Sequence, residues 1–147
     1  MATIAKSTAT PLRLLAIAAL MAILSPIAQA ADWPSFKAGT WSFERTITGM
    51  DGMPNKVSRT ECTDPASDQE SQRAMLEKSG CKLTPLTQSG STYRYSASCT
   101  MAGMTTTSDS VLEVLSDESY TITVDSTVDG DKTHEVLQAH RLGDCPR

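Results

Sequence analysis

Residues 81–99 read CKLTPLTQSGSTYRYSASC. The two cysteines stand nine residues to either side of Gly90, and Ser89-Gly90-Ser91 is a turn signal between two strand-like segments. A hairpin centred on that triplet sets Cys81 directly opposite Cys99. Directly opposed residues on antiparallel strands share a face about 4.5–5.5 Å apart, within disulfide reach. The same alternation puts Tyr93, Tyr95 and Ala97 on the face that carries Cys99.

Working outward, the remaining cysteines are Cys62 and Cys145. Four cysteines allow three connectivities, and the hairpin favours Cys81–Cys99 with Cys62–Cys145. The alternative, Cys62–Cys81 with Cys99–Cys145, would bracket the segment between residues 62 and 81. That segment holds the one helix the sequence predicts. Ser67 and Glu70 form a capping box at its start, and Gly80 suits the left-handed position that ends it. Only Ala74, Met75 and Leu76 are apolar, so packing alone does not hold it. In a simple meander Cys145 would arrive at the wrong edge of the sheet. A helix of ~13 residues rises about 20 Å, the length of a short strand, so it can carry the chain back across. Every later strand then reverses direction, and Cys145 arrives beside Cys62. Structural disulfides are the reading adopted. No C-x-x-C occurs, as a four-thiolate zinc site or a redox pair would want.

The other segments read as strands and turns. Trp33-Pro34-Ser35-Phe36 is an extended lead-in. From Gly39, Trp41, Phe43 and Ile47 alternate with Ser42, Glu44 and Thr48, although Arg45 interrupts the apolar face. Residues 49–55 form a turn, and a polar strand runs from Lys56 to Cys62. Thr92–Thr100, Thr105–Leu115, Tyr120–Val128 and Lys132–Leu142 follow, with Asp129-Gly130 a strong two-residue hairpin signal. The expected fold is mainly β (α+β). It is an antiparallel sheet of about seven strands, open or partly closed into a barrel, with one helix between strands two and three and two disulfides.

Composition explains the need for cross-links. The first thirty residues carry Lys6 and Arg13, an apolar run from Leu14 to Leu24, and Ala28-Gln29-Ala30, the pattern of an export signal cut after Ala30. The run is too short to span a bilayer, and no membrane span is expected after cleavage. The expected mature domain is 31–147. Within it, Leu, Ile, Val and Phe number 17 of 117 residues, below the one-fifth of ordinary folded domains. Two disulfides at about 2–4 kcal/mol each offset that shortage, and an exported compartment keeps them oxidised. Net charge is −4 for the whole chain, and about −6 after cleavage (11 Lys+Arg against 17 Asp+Glu). That acidity argues against nucleic acid as a partner.

Few residues suggest chemistry. Met50 and Met53, and Met101 and Met104, form two M-x-x-M pairs in turns at one edge of the expected sheet. Thioethers select Cu(I), so a four-sulfur copper site is the alternative functional expectation. Flexible methionines filling gaps at the ends of a thin core are the simpler reading. His134 and His140 share a strand face but lie about 20 Å apart, too far to share a metal. Asp125, Asp129 and Asp131 do not match an EF-hand loop. Trp33, Trp41, Tyr93 and Tyr95 would line a cavity, but they are also most of the available core. No G-x-S-x-G, H-E-x-x-H or glycine-rich phosphate loop is present.

Gly39-Thr40-Trp41 near the start, the Gly-Met-x-Gly-Met-Pro turn, the four-cysteine order and the terminal Arg141-Leu142-Gly143-Asp144-Cys145 together resemble an uncharacterised bacterial family, DUF3617. The resemblance spans essentially the whole expected mature chain. It implies a small exported protein, often methionine-rich, with no assigned activity, and it supplies no catalytic residues. The chain has fewer methionines between Cys81 and Cys145 than that family leads one to expect. The resulting expectation is a monomeric, periplasmic, non-enzymatic protein of a Gram-negative bacterium, without a cofactor. Its role would be binding an unknown ligand or an envelope protein.

Overall fold

The computed structural model describes residues 30–147. Apart from Ala30, the export-signal reading lies outside the described residues. Eight strands form one antiparallel sheet: β1 (Gly39–Thr48), β2 (Pro54–Thr63), β3 (Lys82–Leu83), β4 (Thr87–Ser89), β5 (Thr92–Met101), β6 (Met104–Ser116), β7 (Ser119–Val128) and β8 (Asp131–Gly143). The helix α1 (Pro65–Lys78) lies between β2 and β3 in the chain. The sheet order is β2-β1-β8-β7-β6-β5-β3, with β4 also paired to β5. The sheet is therefore open, not a barrel. Edge strand β2 carries Pro54, Lys56 and Arg59, residue types that discourage pairing with another chain.

Both disulfides follow the favoured connectivity. Cys81–Cys99 has Cα atoms 4.2 Å apart and Cys62–Cys145 has them 5.4 Å apart. Near the first bridge the register is the one the hairpin implied, with Lys82 opposite Ser98 and Leu83 opposite Ala97. Beyond it the expected continuous strand divides into β3 and β4. Pro85 has no N–H to give to the ladder, and one extra residue is absorbed before Thr87 pairs with Arg94. The Thr84 hydroxyl fills part of the gap by accepting from the Ser96 N–H at 2.8 Å. The hairpin tip is then a two-residue turn, Gly90-Ser91, with Gly90 at φ +60°.

The helix starts earlier than expected. Asp64 is the N-cap, its carboxylate accepting from the Ala66 N–H at 3.2 Å, and Pro65 occupies the first turn. Proline is pre-set for that position and has no N–H to leave unpaired. Ser67 and Glu70 therefore lie inside the helix and do not cap it. The C-terminus is as read: Gly80 has φ +86°, and the Gly80 and Cys81 N–H groups donate to Glu77 and Leu76 carbonyls, a Schellman closure. Along the helix only Pro65 is fully buried, and Met75 is 66% exposed. Cys62 lies two residues before the N-cap and Cys81 two residues after the C-cap Ser79. Each disulfide thus fastens one end of a helix that buries little apolar surface of its own.

The core is aromatic and lies on the sheet face beneath the helix, here called the inner face. Trp41, Phe43, Leu86, Tyr93, Leu112, Tyr120 and Ala139 form one buried cluster. Ala139 on β8 is opposed by Phe43 of β1 on one side and Tyr120 of β7 on the other. Its small side chain lets the aromatics of two non-adjacent strands meet above it, Trp41 and Tyr120 having centroids 5.6 Å apart. The lead-in completes this layer. Phe36 packs on Trp41 and Tyr120, Trp33 meets Tyr95 edge to face, and the Trp41 Nε1–H donates to the Lys37 carbonyl at 3.0 Å.

Two of the short motifs meet at one joint. Thr40 is paired with Cys62 on one side and Gly143 on the other, and its hydroxyl donates to the Asp144 carbonyl. The end of β8 thereby folds over the start of β1 so that Cys145 reaches Cys62. A Cβ at Gly39 would overlap the Gly143 carbonyl and sit 2.6 Å from Arg141 Nε. The Arg141 guanidinium pairs in turn with the Asp144 carboxylate. Gly39-Thr40-Trp41 and Gly143-Asp144-Cys145 are two halves of this clasp.

Candidate functional site

The helix crosses the inner face on a diagonal, from the end of β2 to the beginning of β3 at the opposite edge. Two tyrosines mark its path. Burial, with the Asp68 carboxylate nearby, pushes the Tyr120 phenol up to about 12. Further on, the Arg73 guanidinium lies 5.4 Å above the Tyr95 ring. Arg73 Nη2 donates to the Thr84 carbonyl at 2.8 Å. Its buried Nη1 has no hydrogen-bond partner, and the aromatic face supplies the negative potential that an acceptor would.

The lead-in covers the triangle of sheet on one side of that diagonal. On the other side, over β2, β1 and β8, neither the helix nor the lead-in lines the surface. There Phe43, Ile47, Val57 and Leu137 line a hollow of about 210 Å³, together with Arg45 and Arg59. Register dictates this grouping. Arg45 is opposed by Val57 on one side and Leu137 on the other, and Phe43 is opposed by Arg59. Val57 is 54% exposed. Phe43 itself belongs to the buried core, at 4% exposed.

Each arginine has one glutamate partner. Arg45 Nε pairs with Glu135 at 3.0 Å and Arg59 Nη2 with Glu61 at 2.9 Å, the two arginine side chains being 46% and 61% exposed. The Arg59 guanidinium also lies 5.0 Å over the Phe43 ring. Ion pairs of partly exposed groups contribute little, about 0–1 kcal/mol. The interruption that Arg45 makes in the alternation of β1 therefore places a cation on the border of an apolar hollow.

A larger cleft of about 630 Å³ lies between the lead-in and the helix, bordered by Trp33, Pro34, Asp64, Glu70, Arg73 and Leu86 among others. Two of its polar groups are already engaged in structure: Asp64 caps the helix, and Arg73 is held by Thr84, Tyr95 and Glu77. Size alone does not make it the better site.

All four cysteines are in the two disulfides. Met50, Met53, Met101 and Met104 are exposed, at 72, 69, 63 and 52%, and fill no gap in the core. Met101 and Met104 oppose each other across the β5–β6 turn, while Met50 and Met53 belong to the β1–β2 turn. Both turns are at the same edge, but the β7–β8 turn lies between them. Four strand spacings separate the pairs, about 19 Å along the sheet. The structure groups the thioethers as two pairs and does not join them. His134 bonds Asp125 at 2.7 Å across β7 and β8. Of the four aromatics weighed for a cavity, Trp41 and Tyr93 are buried in the core, and Trp33 and Tyr95 pack against it. Among the described residues no helix is long and apolar enough to cross a membrane.

These features define a class: a single antiparallel sheet, a helix laid diagonally across one face, and a disulfide at each end of that helix. The chain belongs to the family described as "Protein of unknown function (DUF3617)", whose model matches residues 36–145. The match covers the Gly39-Thr40-Trp41 half of the clasp and reaches Cys145 in the other. No curated protein and no solved structure matches the chain.

Proposed function

We propose that this protein is an exported, non-catalytic binding protein of the periplasm, and that the uncovered corner of its inner face holds the apolar part of a ligand. The observation that carries this reading is the hollow bordered by Phe43, Ile47, Val57 and Leu137. Burying those side chains would contribute roughly 25 cal/mol per Å² of apolar area removed from water. Two disulfides and no free cysteine suit an oxidising compartment.

The test uses N-phenyl-1-naphthylamine, a neutral dye that brightens in apolar surroundings. Its fluorescence is expected to rise saturably with the native protein and to lose that response in Val57→Glu. The substituted side chain is exposed on an edge strand and opposite Arg45, so the fold persists while the hollow is filled with charge. A flat titration with the native protein, or an unchanged response in Val57→Glu, would remove this reading.

A further inference from the structure

Resting on that reading, we propose that the ligand of the uncovered corner is a single-chain amphiphile with a carboxylate head, the chain lying in the hollow and the head held between Arg45 and Arg59.

Charge is the first argument. The chain is acidic, with 17 Asp+Glu against 13 Lys+Arg, yet the lining of this hollow contains two arginines, with their glutamate partners Glu135 and Glu61 outside the lining. Arg59 opposes Phe43 and Arg45 opposes Val57, so the two guanidiniums sit on neighbouring strands two residues apart in register. That diagonal spacing, about 7–8 Å between backbones, lets two long side chains converge on one headgroup. Their half-buried glutamate partners leave nitrogens to spare. The Arg45 pair engages Nε and the Arg59 pair engages Nη2, and a guanidinium offers five donors in a planar fork suited to a carboxylate.

Size and shape are the second. At about 30 Å³ per water-sized group, a hollow of about 210 Å³ is filled by a chain of about seven methylene groups. That is room for one short alkyl chain, less than the two chains of a membrane phospholipid would fill. A bilayer is also disfavoured as the source, because the net charge of about −6 expected for the exported domain (11 Lys+Arg against 17 Asp+Glu) opposes approach to an anionic surface. Arg45 occupies the inward-facing position between Phe43 and Ile47, where an apolar residue would continue the face.

Calorimetric titration of the whole exported domain with decanoate, below its micelle-forming concentration, and with 1-decanol tests this. Decanoate is expected to bind one to one and at least about tenfold more tightly than decanol, the factor that goes with one charge-assisted hydrogen bond. Arg45→Gln and Arg59→Gln are each expected to weaken decanoate about tenfold while leaving decanol unchanged, which also shows the hollow intact. Arg45→Lys, which keeps the charge, is expected to recover part of the loss. Equal affinity for decanoate and decanol would overturn the carboxylate class and leave the binding reading standing. Decanoate binding unaffected by either glutamine variant would overturn the assignment of the head to these arginines. Absence of binding by both compounds would overturn this inference and the proposed function together.

Discussion

Replacing Cys62 and Cys145 together by serine is expected to remove about 4–5 kcal/mol of stability, the largest loss of any change considered. The bridge closes a sequence separation of 83 residues, against 18 for Cys81–Cys99. Loop-closure entropy gives about 4.5 kcal/mol for the former and about 3 for the latter. Domains of this size have about 5–15 kcal/mol in all, and each kilocalorie corresponds to roughly 4 °C in Tm. The Cys62/Cys145 double variant should therefore melt roughly 15 °C or more below the parent, and the Cys81/Cys99 double variant somewhat less far below it. Location adds to the difference. Cys62–Cys145 locks the clasp in which Gly39, Thr40, Gly143 and Asp144 meet, and it anchors the start of the helix. Thermal unfolding of the two variants side by side checks this. A larger loss from the shorter loop would contradict it.

Trp41→Ala is expected to cost about 3–5 kcal/mol, the range for a large aromatic removed from a packed core. Trp41 is 0% exposed and touches Phe36, Phe43 and Tyr120. It also holds the lead-in through its bond to the Lys37 carbonyl. The substitution leaves Trp33 as the one tryptophan of two, and Trp33 lies in that lead-in. Its emission should shift to the red at temperatures where circular dichroism still shows the sheet, because the lead-in loosens first. Trp41→Phe, which keeps most of the ring, should cost clearly less. Unfolding of sheet and lead-in in one step, with no early change at Trp33, would show that the lead-in is held by other contacts.

Much of this architecture was legible locally. The alternation in β1 and β7, the Asp129-Gly130 turn and the Gly80 closure are each set by a few neighbouring residues, and each is found in the structure. The spacing of Cys81 and Cys99 about Gly90 yielded the right bridge although the tip of that hairpin differs, because the bulge near Pro85 lies between the tip and the disulfide. The helix start was misplaced because Ser67 and Glu70 match a capping box, whereas the N-cap is Asp64, three residues earlier, with Pro65 pre-set for the first turn.

The candidate site was hardly legible at all. Arg45 stood out as a break in the alternation, but Val57, Arg59 and Leu137 reach it through pairing with β2 and β8, residues 12 to 92 positions away in the chain. Which corner of the inner face stays uncovered depends on the diagonal taken by α1. That diagonal is fixed by a helix running between opposite edges of the sheet and by the disulfide at each of its ends. No local pattern encodes such a path. The clasp motifs, by contrast, were visible as short words whose purpose emerged only when Gly39 and Gly143 were seen packed together.

Methyl-resolved NMR during addition of decanoate tests the central claim most directly. The account predicts that the methyl signals of Ile47, Val57 and Leu137 move together and saturate at one equivalent, while Leu86, in the larger cleft beside the lead-in, stays still. Movement of Leu86 with Ile47, Val57 and Leu137 unmoved would contradict it.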